Sequence, residues 1–69
     1  MTREQCIEAV SGICRQHDCL NDKQIIALGN LLYAYLDCES TEYSGAVDFL
    51  WMAFEIDLTT KFELLDLQG

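Results

Sequence analysis

The sequence predicts an all-α protein, a small bundle of three main helices followed by a short C-terminal helix. Apolar residues recur at helical spacing in each segment of the chain, and residues that start helices precede these segments. The chain contains no proline that would interrupt a helix. Its 69 residues suffice for one domain, so we expect residues 1–69 to form a single acidic helical unit.

The first predicted helix runs from about Arg3 to Gln16. Residues 2–5 form a capping-box pattern, in which the Thr2 hydroxyl covers a free backbone N–H and Gln5 reaches back. An apolar stripe follows, formed by Cys6, Ile7, Val10, Ile13, Cys14 and His17. Residues 18–20 (Asp-Cys-Leu) are the predicted turn.

The second predicted helix begins at Asn21, a favoured N-cap residue, and Asp22 places an acid in the positive first turn. One apolar face is formed by Ile25, Leu28, Leu32, Tyr35 and Leu36, and Ile26, Leu31 and Tyr33 widen it. An arc this broad predicts contacts with neighbours on more than one side. We expect the helix to end near Asp37 or Cys38.

The third predicted helix restarts at residues 40–42 and is the most apolar segment. One stripe contains Tyr43, Ala46, Val47, Leu50, Ala53 and Phe54; a second contains Phe49, Met52 and Ile56, and Trp51 extends the apolar character. We expect this helix at the domain centre or at a dimer seam, with Val47, Leu50 and Phe54 on the core or dimer face. A buried strand is the alternative, but the cap and the length of the pattern favour a helix.

The last segment has a capping-box pattern at residues 60–63, and Leu58, Phe62 and Leu65 fit a helical stripe. A strand is the alternative and would need a dimer to supply an edge. Gly12, Gly29 and Gly45 each lie within a predicted helix, where Gly costs about 1 kcal/mol relative to Ala. Close helix approach and a local break are both open for the first two. A break is favoured at Gly45, with Ser44 as a late cap.

The charge is strongly negative and unevenly distributed. The formal net charge is −8, and eight carboxylates after Leu36 are opposed by Lys61 alone. Such a surface repels phosphate, so we expect no direct binding to nucleic acid or anionic lipid, whereas a basic protein would be attracted. The alternative is that the charge only keeps the protein dispersed.

The hydrophobic content of 51% is high for so small a chain. A domain of this size buries only about 60% of the surface that its unfolded chain exposes. We therefore expect apolar surface to remain for a homodimer or a partner-covered patch. A compact monomer with scattered apolar surface groups is the alternative.

The sequence predicts no enzyme, no metal site and no cofactor. It has one His and neither a Gly-rich phosphate loop nor a Cys-x-x-Cys pair. The best candidate ligand cluster for zinc, formed by Cys14, His17, Cys19 and Cys38, is spread over separate parts of the predicted bundle. A nucleophile–base pair of Cys14 and His17 lacks an orienting group and an oxyanion hole.

The sequence shows no feature of export. Its first residues lack the apolar stretch of a signal peptide, and its longest apolar run, residues 49–54, is too short to cross a bilayer. We therefore expect a cytoplasmic protein without a membrane partner. Its four cysteines are expected to be reduced thiols, and Cys6 with Cys38 is the only intrachain disulfide that helix geometry leaves open.

Two resemblances bear on function. Residues 9–11 and 21–26, followed by an apolar third helix, are similar to the small AriR-type biofilm and two-component connector proteins as far as Ala27. That resemblance implies a dimeric helical regulator. In its small size, strong acidity and lack of catalytic residues, the chain also resembles phage-encoded inhibitors and bacteriocin immunity proteins. Their targets are often basic enzymes that handle nucleic acid.

The leading hypothesis is a stoichiometric antagonist of a bacterial protein, of the anti-CRISPR, anti-restriction or transcription-inhibitor type. Carboxylates would steer it to a basic surface, namely Asp37, Glu39, Glu42, Asp48, Glu55, Asp57, Glu63 and Asp66. Exposed aromatic residues would anchor it, namely Tyr33, Tyr35, Tyr43 or Trp51. The alternative is a dimeric regulator or connector that acts through the apolar face of the third helix.

Overall fold

A computed structural model describes residues 1–17 and 20–68, and these residues form helices without any strand. The helices are α1 (Arg3–His17), α2 (Asp22–Tyr35), α3 (Ser40–Ala53) and α4 (Leu58–Asp66). The prediction of an all-α chain is confirmed, including the short fourth helix. The predicted turn at Asp18 and Cys19 lies outside the described residues, and dimerisation stays a prediction.

The starts of α1 and α2 follow from reciprocal capping, as predicted. The Gln5 backbone N–H donates to the Thr2 hydroxyl at 3.1 Å, and the Thr2 N–H donates to the Gln5 side chain at 2.9 Å. Asn21 and Gln24 form the same pair of bonds at the start of α2, at 2.8 and 2.9 Å. Each pair satisfies donors that a helix start otherwise leaves without a partner. The end of α2 at Tyr35 comes earlier than predicted.

The start of α3 at Ser40 agrees with the restart predicted at residues 40–42, whereas the start of α4 departs from the sequence prediction. Helix α3 begins at Ser40 and runs through Gly45 without interruption, so the break and late cap predicted there are wrong. Helix α4 is capped by Asp57, whose carboxylate accepts a hydrogen bond from the Thr60 N–H at 2.7 Å. The predicted cap at Thr60 is therefore wrong, because the stronger N-cap former lies three residues earlier and places Thr60 inside the first turn.

All four helices contribute to one hydrophobic core. Helix α1 contacts α2 and α4, and α3 contacts the same two helices. The buried apolar residues are Cys6, Val10, Cys14, Ile25, Leu28, Leu32, Tyr43, Ala46, Val47, Leu50, Ile56 and Leu64. In the described part of the chain, no helix is both long enough and apolar enough to cross a membrane.

Helices α1 and α2 are in close contact at Gly29. A Cβ atom added there would lie 2.7 Å from Ile7 Cγ1 and 2.9 Å from Ile7 Cα, so only glycine lets α1 and α2 approach this closely. The Cys6 thiol donates to the Gly29 carbonyl oxygen across the same contact, at 3.6 Å. Around Gly12 and Gly45, no atom lies within 4 Å of an added Cβ, so neither is needed for helix packing.

Tyr43 joins α3 to α4 inside the core. Its hydroxyl donates to the Leu64 carbonyl oxygen, and its side chain is 1% exposed. Burial, with a smaller contribution from the neighbouring Cys6, raises the pKa of Tyr43 to about 12. The expectation that Tyr43 is an exposed anchor for a partner is wrong, because packing of α4 against α3 covers it.

Candidate functional site

An open groove lies between α2 and α3, with a cavity volume of about 600 Å³. Leu31 and Tyr35 of α2 form one wall. The α3 side of the groove is formed by Glu42, Gly45, Ala46 and Phe49. Most of this lining is apolar, and the smallest residues, Gly45 and Ala46, are adjacent on α3. A concave surface of this kind is the usual form of a binding site.

Phe49 and Met52 extend this apolar surface onto the outer side of α3. Their side chains are 62% and 75% exposed. Since they are three residues apart in one helix, they lie side by side. Burial of one such side chain is worth roughly 1.5–3 kcal/mol relative to exposure, so two adjacent exposed ones favour an interaction surface. We call Leu31, Tyr35, Gly45, Phe49 and Met52 the α2–α3 face.

The predicted core or dimer residues of α3 separate into two environments. Val47 and Leu50 are 0% and 1% exposed and belong to the protein's own core, so a second chain has no access to them. Phe54 is half-buried and packs against that core. Ile56, expected beside Phe49 and Met52, is buried as well. The core alternative for this face is therefore the one that the structure shows, and the exposed apolar surface of α3 is a different stripe.

Carboxylates border one end of the α2–α3 face. Glu42 lines the groove, and Glu39 is exposed in the turn between α2 and α3; Asp37, in the same turn, lines a separate cavity with Tyr33 and Leu36. The Gln68 side-chain amide donates to the carbonyl oxygens of Leu36 and Cys38, at 3.3 and 2.8 Å. The C-terminal end of the chain thus fixes the turn that carries these acids, a role that its sequence did not indicate.

Cys38 lies in the same turn and stays a thiol at neutral pH. Desolvation raises the pKa of Cys38, and a hydrogen bond to Glu42 and the charges of Glu42 and Asp37 raise this pKa further. A thiol held in its protonated form is a poor nucleophile and a poor metal ligand. The acidic turn therefore presents negative charge without a reactive thiolate.

Asp48 and Trp51 are engaged with a cation of their own chain. Lys61 of α4 places its Nζ 2.9 Å from Asp48 Oδ1 and 4.1 Å from the centre of the Trp51 ring. Trp51 is 36% exposed and the Asp48 side chain 52%, so both still reach the surface. Because Lys61 is the only basic residue after Lys23, this ion pair leaves the remaining acids of that half unbalanced.

Of the other four predicted contact acids, Glu63 and Asp66 belong to α4, and two lie in the connection between α3 and α4. Asp57 is the N-cap of α4, so its carboxylate has a structural use. Glu55 is exposed and has a backbone φ of 54°, in the left-handed region that favours glycine. These two acids therefore serve or tolerate a chain reversal, whereas Glu42 lines the groove.

The aromatic residues fall into separate places. Tyr35 lines the groove. The Tyr33 ring has the Arg3 guanidinium 5.5 Å from its centre, on a side of α2 that does not line the groove. Phe49, the aromatic residue most exposed beside the groove, was expected as part of a stripe and not as an anchor. Its helical position places Phe49 opposite Val47, but periodicity alone does not say which of these two sides faces the core.

Among the described side chains of residues 1–16 and 20–68, no group of three or more Cys, Asp or Glu is placed to hold a metal ion, and the His17 side chain considered for zinc lies outside this set. Cys19, one of the residues considered for zinc, lies outside that part of the chain. Cys6 and Cys38 are both free thiols, so the one disulfide left open by helix geometry is not formed. Burial raises the pKa of Cys6 and keeps it protonated.

The chain matches no protein-family model, no curated protein and no solved structure. Inference about function therefore depends on the geometry and charge of the α2–α3 face.

Proposed function

We propose that this protein is a non-catalytic, acidic binding module that inhibits a bacterial protein stoichiometrically by covering a basic surface. The observation that carries the proposal is the exposure of Phe49 and Met52 on the outside of α3, at 62% and 75%. An apolar centre bordered by charged residues is the usual anatomy of a protein–protein interface. We place the protein in the cytoplasm, where its thiols stay reduced.

Charge defines the class of partner. The formal net charge of −8 and the acids at Asp37, Glu39 and Glu42 favour encounter with a positively charged surface. Proteins that handle nucleic acid carry such surfaces, because they bind phosphate. An acidic module that occupies one would compete with the nucleic acid. Phage-encoded antagonists of CRISPR, restriction or transcription proteins are the type of inhibitor that fits this description.

A pair of matched charge reversals tests the proposal. The test variant combines Asp37→Lys with Glu42→Lys, and the control combines Glu4→Lys with Glu8→Lys on α1. All four acids are exposed, and Glu4 and Glu42 each lie in the first turn of a helix. Each double variant replaces two negative charges by two positive ones, so both change the net charge from −8 to −4.

We expect the immobilised protein to capture a basic partner from bacterial lysate and to inhibit that partner at a one-to-one ratio. The turn variant should bind at least about tenfold more weakly, the loss expected of hot-spot positions, and the α1 variant should bind nearly as the wild type does. Equal binding by both variants, together with indifference to salt, would contradict the proposal.

A dimeric regulator or connector is the second candidate, because the same exposed Phe49 and Met52 would suit a self-association surface. The dependence of association on salt concentration discriminates the dimeric regulator from the antagonist of a basic partner. Two chains of charge −8 repel each other, so screening should strengthen a dimer, whereas it should weaken binding of a basic partner. Sedimentation and partner binding are compared between about 0.1 M and about 1 M salt, where the Debye length falls from about 10 Å to about 3 Å.

A further inference from the structure

We propose that the α2–α3 groove binds one basic amphipathic helix of the partner, with a large apolar side chain of that helix seated over Gly45. This inference rests on the proposed function and specifies the part of the partner that is recognised. Docking of an amphipathic helix into an apolar groove between helices is a recurring mode of recognition.

The shape of the groove fits such an occupant. Its volume of about 600 Å³ is in the range of pockets that enclose a ligand of several side chains. Tyr35 lines the groove from α2 and Phe49 from α3, and Gly45 and Ala46 are the small residues of the α3 side. The small side chains leave space in the groove for an apolar side chain from outside.

Packing within the chain explains Gly29 but neither Gly45 nor Gly12, and of these two only Gly45 lines the groove. Glycine is, after proline, the least favourable residue inside a helix. Gly29 is required by the close approach of Ile7, but nothing lies within 4 Å of a Cβ added at Gly45. A glycine that lines the groove exposes the helix backbone and lets an incoming group approach that backbone closely. Gly12 has equally open surroundings but lies on α1 and does not line the groove.

The charge around the groove selects a basic occupant. Glu42 lines the groove, with Asp37 and Glu39 in the adjoining turn. The cations of the described chain lie elsewhere: Arg15 pairs with Asp22, Arg3 lies over Tyr33, and Lys61 pairs with Asp48. Lys23 is at the start of α2, about 18 Å along the helix axis from Tyr35.

A second copy of this chain is a poorer occupant for the same reason. A two-fold dimer brings the same surface of both chains together, so the acids at Glu42 and Asp37 would approach their own counterparts. A helix with Lys or Arg beside its apolar stripe would instead place cations next to these acids.

The test uses a labelled synthetic peptide of about 18 residues, made of Leu and Lys with one amphipathic helical face, a length at which a peptide helix can form. A control peptide has the same composition in an order that gives no apolar face. Binding is measured by fluorescence anisotropy with the wild type, Gly45→Leu and Gly12→Leu. The two glycine variants introduce the same leucine side chain in equally open surroundings. Gly45→Leu places it inside the groove, and Gly12→Leu places it outside. Phe49→Ala is the further variant, and its exposed position keeps the core intact.

We expect the amphipathic peptide to bind the wild type and Gly12→Leu alike. Binding to Gly45→Leu and to Phe49→Ala should be weaker by at least about tenfold, as for hot-spot positions. The scrambled peptide should bind all four proteins weakly. Circular dichroism confirms that each variant keeps its helices.

Each other outcome overturns the groove assignment. Equal binding of both peptides by all four proteins would mean attraction by charge alone, and the proposed acidic antagonist would survive without this groove. No binding of either peptide to the wild type would reject the basic helix as occupant, while capture of a basic partner would still support the proposed function. A free protein that is a dimer, and that loses its dimer in Phe49→Ala, would make a second copy the occupant.

Discussion

The substitution Gly29→Ala tests the helix packing on which the whole arrangement depends. The added methyl group would lie 2.7 Å from Ile7 Cγ1 and 2.9 Å from Ile7 Cα. A rotamer change of Ile7 relieves the first contact and leaves the second, because a Cα atom moves only with its helix. Helices α1 and α2 must therefore separate slightly, and the bond from the Cys6 thiol to the Gly29 carbonyl lengthens.

The expected effect is a difference between two opposing contributions. Replacement of Gly by Ala inside a helix stabilises by about 1 kcal/mol, whereas overpacking of a tight contact costs typically 1–3 kcal/mol. Since a backbone atom is involved, we take the upper part of that range and expect a net loss of about 2 kcal/mol. The same substitution at Gly12, with nothing within 4 Å, should stabilise by about 1 kcal/mol.

Urea unfolding followed by circular dichroism measures both variants against the wild type. The transition midpoint should fall for Gly29→Ala and rise for Gly12→Ala, with similar slopes. The double variant Ile7→Ala with Gly29→Ala should lose less free energy of unfolding than the two single variants together. The reason is that Ile7→Ala removes the Cγ1 atom that lies 2.7 Å from the added methyl group. If Gly29→Ala proves as stable as Gly12→Ala, the close approach of α1 and α2 is refuted.

Further predictions concern single contacts. Tyr43 should stabilise the fold fully below pH 10 and lose that contribution as the pH rises towards its raised pKa of about 12. Urea midpoints should show this alkaline loss in the wild type and not in Tyr43→Phe, which at neutral pH costs about 1 kcal/mol for the lost bond to Leu64. Glu55→Gly should raise the free energy of unfolding by roughly 1 kcal/mol, because it removes a side chain from a left-handed backbone; no gain would contradict the φ of 54°. Gln68→Ala should speed hydrogen exchange in the α2–α3 turn by about tenfold, since it removes two hydrogen bonds; unchanged exchange would show that Gln68 does not hold the turn.

The parts of the fold that depend on local chemistry were predictable from the sequence. The capping boxes at Thr2 and Asn21 determine where α1 and α2 begin, because each involves residues only three positions apart. The start of α4 was misplaced because two cap formers, Asp57 and Thr60, are three residues apart. The preference of the N-cap position for Asp over Thr selects Asp57.

The site was only partly predictable, because it depends on which side of α3 meets the other helices. Tyr43 and Phe49 both lie on apolar stripes of α3, and periodicity does not say which stripe faces the core. Packing of α4 buries Tyr43, and the absence of a neighbour leaves Phe49 62% exposed. Gly45 was expected to break the helix, because the sequence shows the energetic cost of a glycine inside a helix. The sequence does not show that Gly45 lines a groove.

The central claim is that the acid-bordered α2–α3 face is the surface through which this protein meets its partner. Its most direct test is the amide NMR spectrum of the intact protein during titration with the amphipathic Leu and Lys peptide, read at two matched glycines. The Gly45 amide and its neighbour Phe49 should shift progressively while the Gly12 amide stays in place. Shifts centred on α1, or spread evenly over the exposed acids, would contradict the claim.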